Sequence, residues 1–419
     1  MSTDNKQSGN ILAIGILFAL FFMIAFVTNF AGSMGIIVKN QFGASNTASQ
    51  FGSAANFFAY LFMGIPGGLI LKRKGYKFTA LLAVSVGIAG LGVQLSSGYA
   101  ESFAVYVTGA FIAGFSMCLL NLVVNPLLNT LGGGGNKGNQ LVQFGCSLNS
   151  IGATLAPVLL GYLIGGEVAK AKVMDAAPAM WIAIGIFVLA FIILAVSRIP
   201  EPHMETAEEK AARTPVLKDI AATLKFRHFT LGALAIFMYI TIETGIPNMA
   251  NLYMTAEGTP AYVGAAVAGS VVAVYWFCMM IGRILGGILG GKVSSRAQIA
   301  FCSTLGILLM LATMYAPVKM ITLCGQTFPL SMCFMAVCGL CTSVMWGGIF
   351  NLAAEGLGKY VPMGSGIFMA MVVGGLTLPI QGQIADKVGI LNSYWFTVAL
   401  LAYVLLYALC FSKPSKRAD

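Results

Sequence analysis

The chain has 419 residues, of which 58% are hydrophobic and only 9% are charged, and its formal net charge is +10. The few charged residues cluster between apolar runs of roughly 20 residues, the length that an α-helix needs to cross a hydrocarbon layer. Together with a mean hydropathy of +0.86, this pattern excludes a single soluble domain and predicts a membrane protein.

Twelve such runs follow one another along the chain. They lack the alternation of polar and apolar residues that marks the strands of a membrane barrel, and a helix satisfies its backbone amides within one segment. The sequence therefore predicts an all-α membrane protein with twelve transmembrane helices. We expect these spans to begin near residues 11, 50, 78, 103, 140, 178, 229, 262, 296, 328, 363 and 391.

The basic residues between the spans predict how the chain lies in the membrane. An even number of spans puts both termini on one side. Most of the 24 lysines and arginines fall on that side, and the positive-inside rule makes it the cytoplasm. We expect a multi-pass protein of the bacterial cytoplasmic (inner) membrane, surrounded by lipid, whose excess charge reflects topology rather than nucleic-acid binding. The opposite side has only Lys39, Lys170, Lys172, Lys319 and Lys387.

A hydrophilic stretch near the middle of the chain divides six spans from six. Within it, Leu217, Ile220 and Leu224 fall on one helical face, which predicts a short amphipathic helix on the cytoplasmic surface. A regulatory docking site is the alternative interpretation. We therefore divide the chain into an N-terminal six-helix bundle (residues 11–198), a cytoplasmic linker with the amphipathic helix (residues 199–227) and a C-terminal six-helix bundle (residues 228–412).

The two halves repeat each other. A glycine-rich helix end running into a basic loop occurs at residues 64–77 and again at residues 282–292. A glycine followed by a proline at matching depth occurs at residues 151–157 and again at residues 373–379. A duplicated six-helix unit is typical of secondary transporters, which alternate access by rocking one half against the other.

No pattern in the sequence predicts a cofactor or a metal. Cys338 and Cys341 form a single Cys-x-x-Cys pair inside an apolar run, without a second pair or a histidine to complete a zinc site. The two histidines, His203 and His228, lie at the linker, away from any hydrolytic triad. The glycine run at residues 132–135 lacks the ending of a phosphate-binding loop. We therefore expect no cofactor apart from a co-transported cation, with the proton as the leading candidate.

Several motifs resemble a known family. The segment from Gly68 to Lys77 is similar to the loop between helices 2 and 3 of the major facilitator superfamily, with Lys72 in place of the usual acidic residue. The fucose:proton symporter family also tends to carry lysine there, and the resemblance extends from about residue 15 to 410. The further shared motifs are Asn125-Pro126, Leu131-Gly132, Asn149-Ser150-x-Gly152, Tyr239-x-x-x-Glu243, Gly282-Arg283, Leu357-Gly358 and Gly364-Ser365.

This resemblance implies the fold of the superfamily, two pseudo-symmetric six-helix bundles, and a proton-linked importer of a monosaccharide or similar polyol. Members of the fucose:proton symporter family typically carry an acidic residue in the first span, and the fucose permeases carry another in the fourth. The corresponding positions here are Gly32 and Asn121. The usual pair of proton-binding residues is therefore missing.

Two ionisable residues stand out within the spans. A charge in mid-membrane costs about 2.5 to 3.5 kcal/mol on insertion scales, so it usually serves a pathway or a partner. Glu243 lies in the middle of the seventh span beside Gly245 and Pro247, and we predict that it carries the coupled proton. Arg283, in the eighth span, cannot lose its proton and must find a partner. It could contact the substrate, pair with Glu243 or lock the cytoplasmic gate.

The spans also contain the groups that bind sugars. A sugar presents several hydroxyls and one apolar face, so its site needs amides and an aromatic platform. Each amide has an alternative role as an interhelical hydrogen bond. The predicted substrate-binding residues are Asn29, Asn56, Asn121, Asn125, Gln143, Asn149, Tyr239, Glu243, Trp276, Arg283, Trp346 and Asn351.

The leading hypothesis is a monomeric, non-enzymatic symporter that moves a small sugar-like solute inward with protons. The second hypothesis keeps the fold and changes the substrate to an acidic sugar or an organic anion, with Arg283 as its counter-charge. A membrane-embedded enzyme is the third, and it would need clustered catalytic residues near one membrane face, which the sequence lacks. A relative that binds its ligand without moving it is a fourth.

Overall fold

The computed structural model describes residues 3–42, 51–163, 172–205, 215–256, 258–263, 265–323 and 325–414. The first half contains α1 (Thr3–Phe42), α2 (Phe51–Ala100), α3 (Phe103–Leu131), α4 (Gly135–Leu163), a 3-10 turn (Val173–Ala176) and α5 (Ala177–Val196). The linker contains α6 (Val216–Leu224).

The second half is also mainly helical. It begins with α7 (Arg227–Thr255), α8 (Ala265–Gly290), α9 (Ser295–Tyr315), β1 (Met320–Leu323) and β2 (Gln326–Pro329). It continues with α10 (Ser331–Thr342), α11 (Met345–Ala354), a 3-10 turn (Gly358–Tyr360), α12 (Val361–Ala370), a 3-10 segment (Met371–Thr377), α13 (Leu378–Val388), α14 (Tyr394–Leu406) and a π-helical turn (Tyr407–Phe411).

These elements form the twelve predicted crossings. Nine stretches of the described residues are helical, long and apolar enough to span a membrane. One of them is α2, which is two crossings because Gly75 interrupts it with a φ of +83°. The apolar part of α1 and the more polar α4 complete the twelve, with α10 and α11 in one crossing and α12 and α13 in another. The predicted fold class is thereby confirmed.

The loops distinguish the two ends of the bundle. We call the end that carries Lys72, Lys137 and Lys292 the basic end. The last described residues of the second half lie there as well, since Arg296 Nε donates to Ser412 Oγ over 2.9 Å. We call the opposite end the far end, and it carries the antiparallel pair of β1 and β2.

The glycine-rich repeats lie where the two halves meet. A Cβ on Gly64 of α2 would lie 2.6 Å from the carbonyl oxygen of Gly366 in α12, and a Cβ on Gly287 of α8 would lie 2.8 Å from the Phe144 ring in α4. At Gly64 the two backbones approach so closely that only glycine fits, and at Gly287 the Phe144 ring packs on a backbone that carries no side chain. The repeated segments thus form two equivalent contacts between the halves, both toward the basic end.

The linker is bound to the loop between the two arms of α2. The Glu201 carboxylate accepts hydrogen bonds from the backbone N–H groups of Tyr76 and Lys77 at the start of the second arm. In return, Lys77 Nζ donates to the carbonyl oxygens of Ala195 (2.7 Å) and Ser197 (2.8 Å) at the end of α5. An anion thus lies at a helix N-terminus and a cation at a helix C-terminus, as the helix dipoles favour.

The predicted amphipathic helix is present as α6. Asp219 of α6 forms an ion pair with Lys72 at the end of the first arm of α2, with 2.6 Å between Oδ2 and Nζ. Asp219 and Thr223 are both buried. Leu217 is 78% exposed and Leu224 is also exposed. Ile220, the third residue of the predicted apolar face, is half-buried against the core. The exposed side of α6 thus carries Leu217 and Leu224 beside Lys218 and Lys225, which suits a helix at a membrane surface.

Candidate functional site

The two predicted ionisable residues form an ion pair in the middle of the bundle. Arg283 Nη2 of α8 lies 3.1 Å from Glu243 Oε1 of α7, and both side chains are largely buried. Because each charge would be costly alone in a membrane, the pair explains why both occur.

The same arginine also connects the two halves of the molecule. Its Nη1 donates to Ser150 Oγ over 2.7 Å and to the carbonyl oxygen of Cys146 over 3.3 Å, both in α4. A guanidinium has donors in a fixed fork and can satisfy several acceptors at once. Arg283 therefore joins the carboxylate of one half to α4 of the other.

Aromatic rings lie beside this ion pair. Tyr239 is fully buried one helical turn before Glu243, and its ring centroid is 6.3 Å from that of Trp346 in α11. The Trp346 ring in turn meets Phe368 of α12 edge-on at 6.0 Å. These rings supply the apolar platform that a sugar face requires.

A chain of polar groups leads from Trp346 into the first half. Trp346 Nε1 donates to Asn125 Oδ1 over 3.0 Å, and Asn125 Nδ2 donates to Asn121 Oδ1 over 3.1 Å. Asn121 Nδ2 then donates to the Tyr60 hydroxyl over 2.9 Å. The i, i+4 spacing predicted that the two asparagines of α3 share a face. Asn121, at the position where the fucose permeases carry an acid, is thus a neutral member of this chain.

Two further predicted residues bridge the halves nearer the basic end. Gln143 Nε2 of α4 donates to the carbonyl oxygen of Val344 over 2.9 Å. Asn351 of α11 donates to Ser295 Oγ over 3.0 Å and accepts from Asn129 Nδ2 of α3 over 2.8 Å. These contacts close the basic end in this conformation.

The remaining predicted residues do not join this network. Asn56 bonds to Gly52 of its own helix, and Asn149 Nδ2 donates to the Phe21 carbonyl in α1 over 3.1 Å, an interhelical bond. Trp276 is 41% exposed, two turns from Arg283 on the same face of α8. The side chain of Asn29 lies outside the described part of the structure, as does the environment of Gly32.

The far end of the second half carries a polar stripe. Thr244, Asn248, Asn251 and Thr255 recur at steps of three and four residues along α7, and the two asparagines are exposed. Polar groups facing lipid would lack hydrogen-bond partners. The stripe is therefore suited to a water-filled opening at the far end.

Sequence reasoning missed Ser150 as the acceptor for Arg283, and it missed Asn129 and Asn139. A signal existed, because Asn139, Gln143, Ser147 and Ser150 recur at helical spacing in α4 and form one polar stripe. That stripe marks the face of α4 that meets the other half.

Comparison with known proteins identifies the family. The family model described as Major Facilitator Superfamily matches residues 16–375. The chain belongs to this superfamily. It is therefore a multi-pass membrane transporter and not an enzyme, and the hypothesis of a membrane-embedded enzyme is wrong.

Curated relatives support the narrower resemblance. A glucose/galactose transporter of Brucella abortus is 28% identical over 413 residues, which cover 98% of this chain and 96% of that protein. The L-fucose-proton symporter of Escherichia coli is 21% identical over 412 residues, covering 92% of this chain and 90% of that protein.

Solved structures share the fold. The transporter FucP in an outward conformation aligns with a TM-score of 0.84 at 18% identity, covering 97% of this chain and 100% of that one. The proton:xylose symporter XylE aligns with a TM-score of 0.71 at 15% identity, covering 97% of this chain and 96% of that one. The Major Facilitator fold is thereby shown over nearly the whole chain.

Proposed function

We propose that this transporter imports a neutral monosaccharide together with a proton by alternating access. The observation that carries the proposal is that two sets of groups adjoin at Tyr239. One is the ion pair of Glu243 and Arg283, and the other is the ring of Trp346 with the amides of Asn121 and Asn125. Such a set of groups fits the hydroxyls and the apolar face of a sugar. The names of the relatives, which include neutral sugars, support the same substrate class.

A neutral sugar also agrees with the charge of the site. Arg283 already has a carboxylate partner in Glu243 and two oxygen acceptors in α4. An anionic substrate would have to displace Glu243 from the arginine. The site therefore favours neutral solutes over the acidic sugars of the second hypothesis.

We infer that the basic end faces the cytoplasm of a bacterium and that the far end faces outward across the inner membrane. The positive-inside rule supports this orientation, which makes both termini cytoplasmic. A monomer surrounded by lipid suffices, because the halves of one chain enclose the whole network. The closed basic end and the polar stripe at the far end suit a state that receives solute from outside.

Coupling follows from the charge of Arg283. When a proton neutralises Glu243, the arginine loses its counter-charge in a medium where an unpaired charge is unfavourable. A hydroxyl oxygen of a bound sugar can then accept a hydrogen bond from the guanidinium. Proton and sugar thus stabilise each other in the site, and moving either alone is disfavoured.

Uptake into proteoliposomes tests the proposal. We expect that a pH gradient, acid outside, drives accumulation of at least one sugar among D-glucose, D-galactose and L-fucose, and that an uncoupler abolishes the accumulation. Accumulation driven by a sodium gradient alone, or inhibition only by sialic and hexuronic acids, would contradict it.

A further inference from the structure

Asn139 is a buried amide at the basic end without a hydrogen-bond partner among the described residues. Asn139, in the first turns of α4, is 0% exposed, and neither its Oδ1 nor its Nδ2 has a partner among the described residues. One helical turn deeper, Gln143 uses its Nε2 on Val344, but its Oε1 is likewise without a partner. A buried polar group without a partner lowers stability, so an explanation is needed.

The unpartnered atoms point at the seam between the halves. A Cβ on Gly347 of α11 would lie 3.2 Å from Asn139 Oδ1 and 3.1 Å from Gln143 Nε2. One turn further along α11, Asn351 bonds to Asn129 across the same seam over 2.8 Å. Carboxamides from both halves thus face each other here, and glycine leaves space between them.

An apolar residue would close this seam better than asparagine does. In the closed state Asn139 gains no hydrogen bond from its neighbours. When the halves separate at the basic end, its donor and acceptor become available, together with Asn129 Nδ2 and Asn351 Oδ1, whose mutual bond is then broken. Neighbouring hydroxyls of a sugar both donate and accept hydrogen bonds, so they can pair with the NH₂ and C=O groups of a carboxamide.

We propose that Asn139, with Asn129 and Asn351, forms a second binding site for sugar hydroxyls at the basic end. This release site holds the monosaccharide after it leaves the central network and before it enters the cytoplasm. Gln143, on the same face of α4, connects the two sites. The inference rests on the proposed function, because it takes the same neutral sugar as ligand.

The test compares sugar KM at the two membrane faces. Right-side-out vesicles present the far end to the medium and inside-out vesicles present the basic end. With the best-transported of D-glucose, D-galactose and L-fucose, we expect Asn139→Leu to raise KM at the basic end about tenfold, the loss of one hydrogen bond of about 1.4 kcal/mol. KM at the far end should stay within about twofold. Asn139→Ser, a milder change, should shift KM in the same direction.

Gln94 provides the matched control. It lies in the second arm of α2, is 1% exposed, and both of its side-chain polar atoms are unpartnered among the described residues. Its surroundings include Gly109 of the same half. Gln94→Leu therefore removes an equally unsatisfied amide away from the seam, and it should leave KM unchanged at both faces.

Two results would overturn the release site. In one, Asn139→Leu leaves KM at the basic end unchanged. In the other, KM rises at the basic end and falls at the far end by the same factor. That result would show that Asn139 belongs to a gate and does not contact the sugar. If the unsubstituted protein moves no neutral sugar, the proposed function itself fails.

Discussion

Glycine at position 75 is required by its neighbours as well as by its backbone. Its φ of +83° disfavours any side chain, and a Cβ there would collide with the Glu201 carboxylate that caps the second arm of α2. Gly133 has a similar φ of +87° but open space around it. Both positions have a positive φ, but only at Gly75 would a side chain also collide with a neighbour.

We expect Gly75→Ala to destabilise the protein more than Gly133→Ala. A side chain at a backbone position with positive φ costs about 1 to 3 kcal/mol. Gly75, with a ψ of 178°, also lies in a region that is essentially open to glycine alone, and only Gly75→Ala displaces the Glu201 cap. Thermal unfolding in detergent measures the difference. Equal losses in the two variants would contradict this expectation.

We expect His203, at the basic end, to make the stability of the protein depend on pH. Its Nδ1 lies 2.7 Å from the Tyr76 hydroxyl, and burial lowers the pKa of its imidazole to about 4. The unfolded chain binds a proton near pH 6.5, so it holds more protons than the folded chain between about pH 4 and 6.5. Stability contributed by this residue is therefore present above pH 6.5 and is lost as the pH falls toward 4.

Unfolding temperatures of the parent and of His203→Gln, measured from pH 7 to pH 4, test this expectation. The parent should lose more stability than the variant over that range, because only the parent has the imidazole that must be protonated. If the unfolding temperatures of the parent and the variant fall in parallel as the pH is lowered, His203 does not cause the loss of stability. Burial also raises the pKa of the nearby Glu201 carboxyl, but His203→Gln leaves Glu201 in place in both proteins.

At the scale of elements, the ion pair between Lys72 and Asp219 holds α6 against α2. Lys72 occupies the position where the superfamily usually carries an acid, and Asp219 of the linker supplies the opposite charge. Both side chains are largely buried, so the pair is expected to contribute more than an exposed ion pair does.

Exchanging the two charges tests this pairing. Lys72→Asp places two carboxylates together and should lower stability by about 1 to 3 kcal/mol, with a matching loss for Asp219→Lys. The double variant should recover most of it, and a double-mutant cycle from unfolding curves gives the coupling. Additive losses would show that α6 is held by other contacts.

Much of the element structure could be predicted from the sequence. Apolar runs gave the twelve spans, and the positions of leucines in the linker predicted α6. The pair of β1 and β2 was missed, because Met320–Leu323 and Gln326–Pro329 are too short for a clear alternation between apolar spans. The division of one crossing into α10 and α11 was missed as well, since Ser343 and Val344 at the break are neither proline nor glycine.

The central site was only partly predictable. Glu243 and Arg283 stood out because charged residues are rare within the spans. The i, i+4 spacing of Asn121 and Asn125 placed both on one helical face. The partners across the seam, such as Ser150 for Arg283, depend on how α4 and α8 lie against each other. A single sequence does not contain that register, so it also did not predict the bond from Asn149 to Phe21 of α1.

At the scale of the whole molecule, close glycine packing should hold the basic end shut. Gly64→Ala introduces a Cβ 2.6 Å from the carbonyl oxygen of Gly366, so α2 and α12 must separate. We expect the population to shift toward a state open at the basic end. Cys146, 4% exposed in the closed seam, should then react faster with a maleimide from that side.

Peptide-level mass spectrometry on inside-out vesicles measures the labelling of Cys146. Gly92→Ala is the control, because a Cβ at Gly92 meets nothing within 4 Å. It should label at the rate of the parent. If Gly64→Ala also labels at the parental rate, the seam does not set the conformational balance.

Glu243 is proposed to carry the proton that is coupled to sugar movement. The most direct measurement compares the parent with Glu243→Gln in proteoliposomes, for sugar exchange without a gradient and for accumulation driven by a pH gradient. Glutamine cannot bind the proton but can still accept a hydrogen bond from Arg283. We predict that Glu243→Gln retains exchange and loses accumulation, whereas accumulation at the parental level would contradict the account.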